Sequence, residues 1–382
     1  MHTSRARACG IALGVLLDAL VADPSRWHPV AGFGAVASRV EGVLHPPVGE
    51  GLESTARGAA VRARGVAFTT VLVGGVAGGV HALDAASATR PALRVVSTAA
   101  TVWVCLGGTS LLRIARRQAD LLERSDIAGS RRLLPWLCGR EPDALDAAQL
   151  ARAVVESVAE NTSDAAVATL FWAGVAGPAG AAAHRAANTL DAMVGHRSPR
   201  YRDFGWASAR LDDVLGWPAA RLAGLLTAAA APVVGGRPGA AVRAWRRDAP
   251  AHPSPNAGVA EASCAGALGV RLGGPTPYPY GTEERPRLGD GHPPRPADIR
   301  RAATLMRAVQ VGAAVVAVCA ALTGPVPSRS GQPPGARRTR APETVWAGPG
   351  SGTRRGRVSE AGPGARRGPR PQDHSAPEAS IP

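Results

Sequence analysis

Apolar residues in this chain come in uncharged blocks, and most of the charge lies between them. Val95 to Leu112 and Ala165 to Ala183 contain no Asp, Glu, Lys or Arg over 18 and 19 residues, close to the length a helix needs to cross about 30 Å of hydrocarbon. Val66 to Leu83 is similar with one His near its end, Leu222 to Gly236 is shorter, and Ala308 to Gly324 is the last block. The first block, Cys9 to Ala22, is interrupted by Asp18 and is the weakest. Gly and Ala dominate several blocks, which suits close helix packing. The pattern predicts an all-α, polytopic integral membrane protein.

Composition changes abruptly after Gly324. Residues 325–382 are Pro, Gly, Ser and Arg with little to bury, so burial cannot offset the entropy cost of ordering them. The expected organisation is a membrane domain over 1–324 and a disordered tail over 325–382. Ten Arg against four acidic residues give the tail six of the chain's formal +15, and every basic residue in the chain is Arg. The tail reads as a solvated extension rather than a nucleic-acid arm. A basic start before an apolar centre would fit a cleavable signal peptide, but Asp18 in that centre favours a retained first helix. Arg113, Arg116, Arg117, Arg131 and Arg132 follow a span, so their loop and the basic tail are expected on the cytoplasmic side.

The five cysteines are scattered without metal-ligand spacing, so neither a zinc site nor a disulfide framework is indicated. With no Lys in the chain, the usual P-loop is excluded.

Polar residues concentrate in four places. The first holds Asp18, Asp23, Arg26, Trp27 and His28. In the second, "VVESVAENTSDAAVATLFW" (154–172), Glu156, Glu160 and Asp164 advance by four and form one helical stripe. Three like charges repel, and no Arg stands between Arg152 and Arg185, so the compensating cation must come from another segment or from solution. These carboxylates, with Asn161, Thr162 and Ser163, are hard oxygen donors of the kind that suit Mg²⁺; a hydrated helix end outside the bilayer is the alternative. The third cluster, 188–217, holds Asn188, Asp191, His196, Arg197, Arg200, Tyr201, Arg202, Asp203, Arg210, Asp212 and Asp213 and reads as helix end, loop and helix start. It suits either surface salt bridges or an anionic ligand gripped by Arg, with Asp holding an accompanying metal. The fourth, 247–274, is expected to be non-helical up to Asn256, after which Glu261 lies in a small-residue stretch.

"VVESVAENTSDAAVATLFW", "NTLDAMVGHRSPRYRDFGWASARLDDVLGWPAARL", "PSPNAGVAEASCAGALGVRLGG", the opening "LDALVADPSRWHPVAGFG" and the closing "PRLGDG" and "ADIRRAATL" resemble, in order over roughly 11–324, the blocks of the CobD/CbiB cobalamin-biosynthesis family, the adenosylcobinamide-phosphate synthases. Ala22 stands where that family usually has Gly, Thr169 where it has Pro and Gly216 where it has Asn, and the tail has no expected counterpart.

The resemblance implies a multi-pass protein of the inner (plasma) membrane that joins (R)-1-amino-2-propanol, or its O-phosphate, to a propionate of adenosylcobyric acid through an amide. Other late corrinoid enzymes are implied as possible partners. Carboxylate activation then calls for ATP and Mg²⁺. Glu156, Glu160 and Asp164, with Asp212 and Asp213 as a second group, are the candidate metal ligands. Arg197, Arg200, Arg202 and Arg210 are candidates to clamp phosphate, with Asn161, Asn188, Asp191, Asp203, Asn256 and Glu261 as further binding residues. Glu160, Asp164, His196 and His252 are the catalytic candidates, and His28 is a third possible base. A transporter would place its charges within the apolar blocks or at broken helices, and a scaffold for corrinoid enzymes would tolerate loss of the carboxylates.

Overall fold

The computed structural model describes residues 3–23, 28–45, 55–196, 198–278 and 281–323. The expected tail and Arg197 lie outside these residues, as do Arg26 and Trp27. Helices α1 (Thr3–Val21), α2 (Pro29–Leu44), α3 (Thr55–Ala86), α4 (Pro91–Cys105), α5 (Gly108–Glu123) and α6 (Ile127–Leu133) precede α7 (Ala147–Asn161). A π-helical turn (Thr162–Ala168) joins α7 to α8 (Thr169–Val194). Then come α9 (Trp206–Ala230), α10 (Pro238–Asp248), α11 (Ala257–Leu268), a hairpin of β1 (Leu272–Tyr278) and β2 (Gly281–Leu288), and α12 (Pro296–Thr323).

Among the described residues, five helical stretches are long and apolar enough to cross a membrane: Gly58–Ala86, Pro91–Glu123, Ala147–Val194, Trp206–Val234 and Pro296–Thr323. Their outward faces keep large apolar residues such as Val71, Val96, Val175, Leu225, Val311 and Val315 exposed, which is the surface a hydrocarbon solvent requires and water disfavours. The protein is therefore a multi-pass helical membrane protein. Close packing rests on small residues. A Cβ on Gly10 would lie 2.6 Å from Thr98 Cβ, and one on Gly14 would lie 2.8 Å from the Ala99 carbonyl oxygen, so these two glycines let α1 lie directly on α4.

Two expected spans are not single straight helices. The block Val95 to Leu112 breaks at Leu106 and Gly107, where α4 ends and α5 begins. The Thr169 hydroxyl from α8 donates to the Cys105 carbonyl at 3.3 Å, satisfying an acceptor that the break leaves without a helical donor. The block Ala165 to Ala183 starts inside the π-helical turn and kinks at Gly177, whose φ of 73° precedes Pro178. The expected non-helical stretch up to Asn256 is also shorter than anticipated, since α10 runs through Arg247 to Asp248 and a 3₁₀ turn covers Ala249–Ala251.

The start of α7 is set by a capping box: the Asp146 side chain accepts from Gln149 N, and the Gln149 side chain accepts from Asp146 N, both at 2.8 Å. Its apolar residues Leu150, Val154, Val155 and Val158 enter the main core with Leu112, Ile299 and Leu305. A second core gathers Phe68, Leu190, Val194 and Phe204 beneath α2 and α3. The hairpin was not expected. Its strands pair antiparallel from Leu272 opposite Leu288 to Tyr278 opposite Gly281, with a bulge between Leu272 and Gly274, and Leu272 and Leu288 anchor it in the main core.

Candidate active site

The carboxylate stripe meets its cations from two segments distant in sequence. Glu156 is buried at 1% exposure and pairs with Arg140, itself 6% exposed, from the loop before α7. Its second oxygen accepts from Gly273 N of the hairpin at 2.7 Å, and Arg152 Nε stands 3.9 Å away. Arg285 of β2 approaches Glu261 at 3.5 Å and contacts Nε2 of His252, which lies 3.8 Å from Glu261. Glu160 lies within electrostatic reach of both Arg285 and Arg140. The cation missing from the local sequence thus comes from Arg140 and Arg285, neither of which the sequence singles out.

Burial and the adjacent Arg285 guanidinium hold His252 down at about 4, so the ring is neutral at ordinary pH. Arg285 contacts Nε2, while Nδ1 faces both the Ser254 N–H at 3.0 Å and the Ser254 carbonyl at 3.1 Å. Both ring nitrogens are engaged, so His252 fixes Arg285 and does not offer a free base. Burial pushes the Glu261 carboxyl well above the usual carboxylate range; Glu156 adds to this and Arg285 opposes it.

One turn further, the environment reverses sign. Asp164, in the π-helical turn, lies in the field of Asp212, Glu160 and Asp191, with Arg185 as the opposing cation. Asp212 interacts with Asn188, and one of its carboxylate oxygens is buried without a hydrogen-bond partner among the described residues. The Nε of Arg185 is buried and unpartnered in the same sense. His196 is exposed and lies in electrostatic reach of Asp191. From the first polar cluster, Asp23 and His28 come within 4.0 Å of each other; burial pulls the His28 pKa down, Asp23 opposes this, and Arg185 adds to it. His28 also caps α2, its Nδ1 accepting from Val30 N at 3.1 Å. Four polar stretches far apart in sequence therefore meet around Glu160 and Arg185, both within the helical stretch Ala147–Val194.

Other expected residues are committed elsewhere. Arg200 pairs with Glu41 at 3.0 Å, and Asp203 pairs with Arg62 of α3 at 3.0 Å. Arg210 faces Asp213 at 3.5 Å, while Arg202 is exposed. Arg200 and Asp203 tie the 195–205 loop to α2 and α3. Asn161 donates to the Ser157 carbonyl at 2.9 Å. Asn256 bridges helices: its Nδ2 donates to the Asp213 carbonyl at 2.9 Å and its Oδ1 accepts from Arg221 at 3.0 Å.

Among the described residues no three His, Cys, Asp or Glu side chains are arranged to hold a metal ion. Mg²⁺ asks less of a protein, typically one or two carboxylates plus waters and substrate phosphate. Asp212, with its unpartnered buried oxygen, and Asp164 beside it meet that smaller demand. Glu156 does not, because Arg140 and Gly273 N already occupy its oxygens; Asp213 faces Arg210 at 3.5 Å and also lies in the field of Asp191 and Asp212.

Buried carboxylates and guanidinium groups gathered between membrane-length helices define a polytopic protein with an internal polar site. The CobD/Cbib protein family matches residues 11–306, and the chain belongs to it. It is 51% identical to the cobalamin biosynthesis protein CobD of Mycobacterium tuberculosis over 318 residues, covering 83% of this chain and 96% of the relative. The CobD proteins of Chromobacterium violaceum and Geobacter metallireducens are each 39% identical, over 82% and 74% of this chain and 97% and 86% of their own lengths. No solved structure matches.

Proposed function

We propose that this protein acts in cobalamin biosynthesis, in the inner membrane, as the enzyme that joins an aminopropanol or its O-phosphate to a propionate of adenosylcobyric acid. The carrying observation is the meeting of four polar stretches around Glu160 and Arg185 beside buried, unpartnered polar atoms. A site of that kind suits a charged reaction between a carboxylate and an ammonium.

Condensation in water is unfavourable, so the propionate first takes a phosphoryl group from ATP, releasing ADP. The amine then attacks the acyl carbon, and phosphate leaves as the amide forms. Mg²⁺, held by Asp164 and Asp212, would supply charge neutralisation on the phosphates. Glu160 and Arg185 orient the reacting carboxylate and ammonium. The attacking amine loses its proton to His196, the exposed imidazole beside Asp191.

The test is purified protein in detergent with adenosylcobyric acid, Mg²⁺, ATP and each amine, the product being identified by mass. Absence of a corrinoid amide in every combination would sink this reading. Transport is the second reading, and one observation favours it: Asp164 and the acids around it lie inside membrane-length helical stretches, where transporters keep ionisable groups. Reconstituted vesicles that accumulate labelled corrinoid without forming an amide would select it.

A further inference from the structure

The outer face of the hairpin carries a cationic cleft that adjoins the Glu156 cluster through Arg152 and Gly273 and opens away from the Glu160 and Asp164 group. It measures about 190 Å³ and opens between the start of α7 and the strands, lined by Arg152, Arg271, Arg287, Gly273, Gly274 and Asp146 among others. Strand alternation explains its charge. Leu272 and Leu288 face each other and point into the core, so the neighbours Arg271 and Arg287 fall on the opposite face of the pair. Both side chains are exposed, and among the described residues neither has an ion pair or side-chain hydrogen bond. Arg152 is instead braced: it donates to the Gly273 carbonyl and, at 2.6 Å, to the Pro275 carbonyl. Gly274, at φ 90°, brings the backbone so near that a Cβ there would lie 3.2 Å from Arg152 Nη1. The sole acid in the lining, Asp146, spends its carboxylate on the α7 cap.

Three guanidinium groups therefore share one small cleft: Arg152 is held rigid by two backbone carbonyls with Glu156 behind it at 3.9 Å, while Arg271 and Arg287 have no ion pair among the described residues. Such a set repels itself when empty and matches a tetrahedral dianion, which offers acceptors to several guanidinium forks at once.

We propose that this cleft seats a phosphate group carried by a small-molecule substrate. That the carrier is the phosphorylated amine or the nucleotide rests on the function proposed above; the anion site itself does not. The 195–205 arginines highlighted by the sequence are thereby replaced as phosphate ligands by Arg152, Arg271 and Arg287.

The experiment uses the full chain in an uncharged detergent, with pyrophosphate titrated and followed by ³¹P NMR line broadening. Wild type and the control Arg246→Ala, an exposed α10 side chain, should bind alike. The Arg271→Ala/Arg287→Ala double variant should lose affinity at least about tenfold with an unchanged unfolding temperature. Should that variant fold poorly, the single Arg287→Glu replacement gives the same readout. Equal binding by wild type and variants, or none by wild type, overturns the site. In nanodiscs, displacement of pyrophosphate by added phosphatidylglycerol would make the cleft a lipid-headgroup site and overturn its assignment to a soluble substrate; unchanged binding supports that assignment. A failed amide synthesis with intact pyrophosphate binding would count against the proposed reaction alone.

Discussion

Ala22 adopts φ of 60° while buried, a conformation that costs an L residue with a Cβ about 1 kcal/mol and costs glycine almost nothing. Its carbonyl accepts from Trp103 Nε1 at 2.9 Å, which locks the strain in place. A glycine would take this backbone without strain, so Ala22→Gly should raise stability by about 0.5–1 kcal/mol, read as a higher unfolding temperature in detergent. The stripe residues divide by role at the same scale. Glu156→Gln leaves Arg140 buried without its counter-charge and should cost about 3–5 kcal/mol, visible as loss of folded protein. Glu160→Gln should leave yield and unfolding temperature near wild type while lowering turnover by at least about 100-fold. Equal turnover in that variant would favour a scaffold.

Among elements, the hairpin depends on clamps from the helices around it. The Asp248 carboxylate at the end of α10 accepts from Gly289 N at 2.7 Å, and Arg247 and that bond hold its carboxyl below the usual range. Asp248→Ala should destabilise by about 1–3 kcal/mol and speed amide hydrogen exchange over 281–289 more than elsewhere. His252 supplies a pH signature. Its folded pKa of about 4 lies below the ordinary 6.5, so the unfolded chain binds the extra proton first, and stability falls as pH drops from about 6.5 to about 4. His252→Asn should flatten that part of the stability curve relative to wild type; an unchanged slope would mean the ring is not held neutral. The hairpin itself was hidden in the sequence for a local reason. Its strands, "LGGPTPY" and "GTEERPRL", carry Gly and Pro at positions that normally demote a strand. By contrast, the helices of the apolar blocks were legible, because uncharged length needs no partner to be recognised.

For the whole molecule, the exposed Val and Leu on the long helices predict that the protein sediments with membranes and is released by detergent and not by high salt. The relative from Mycobacterium tuberculosis is covered over 96% of its length by only 83% of this chain, and the family match ends at residue 306. A chain ending at Thr323, which keeps all the residues matched by the family, should therefore keep membrane insertion and turnover within about twofold. Site legibility follows separation along the chain. Glu156, Glu160 and Asp164 announce themselves through helical spacing, yet Arg140 and Arg285 look like ordinary loop and strand charges until tertiary packing brings them together.

The π-helical turn at Thr162–Ala168 also restricts how this chain can change in length. Such a turn is an α-helix carrying a surplus residue, and each α-helical residue advances about 100° around the axis. Deleting one residue there would regularise the helix and swing Asn188 and Asp191 away from Asp212 together. Insertions and deletions should accordingly be barred from the stretch between Glu160 and Asn188 in any working descendant.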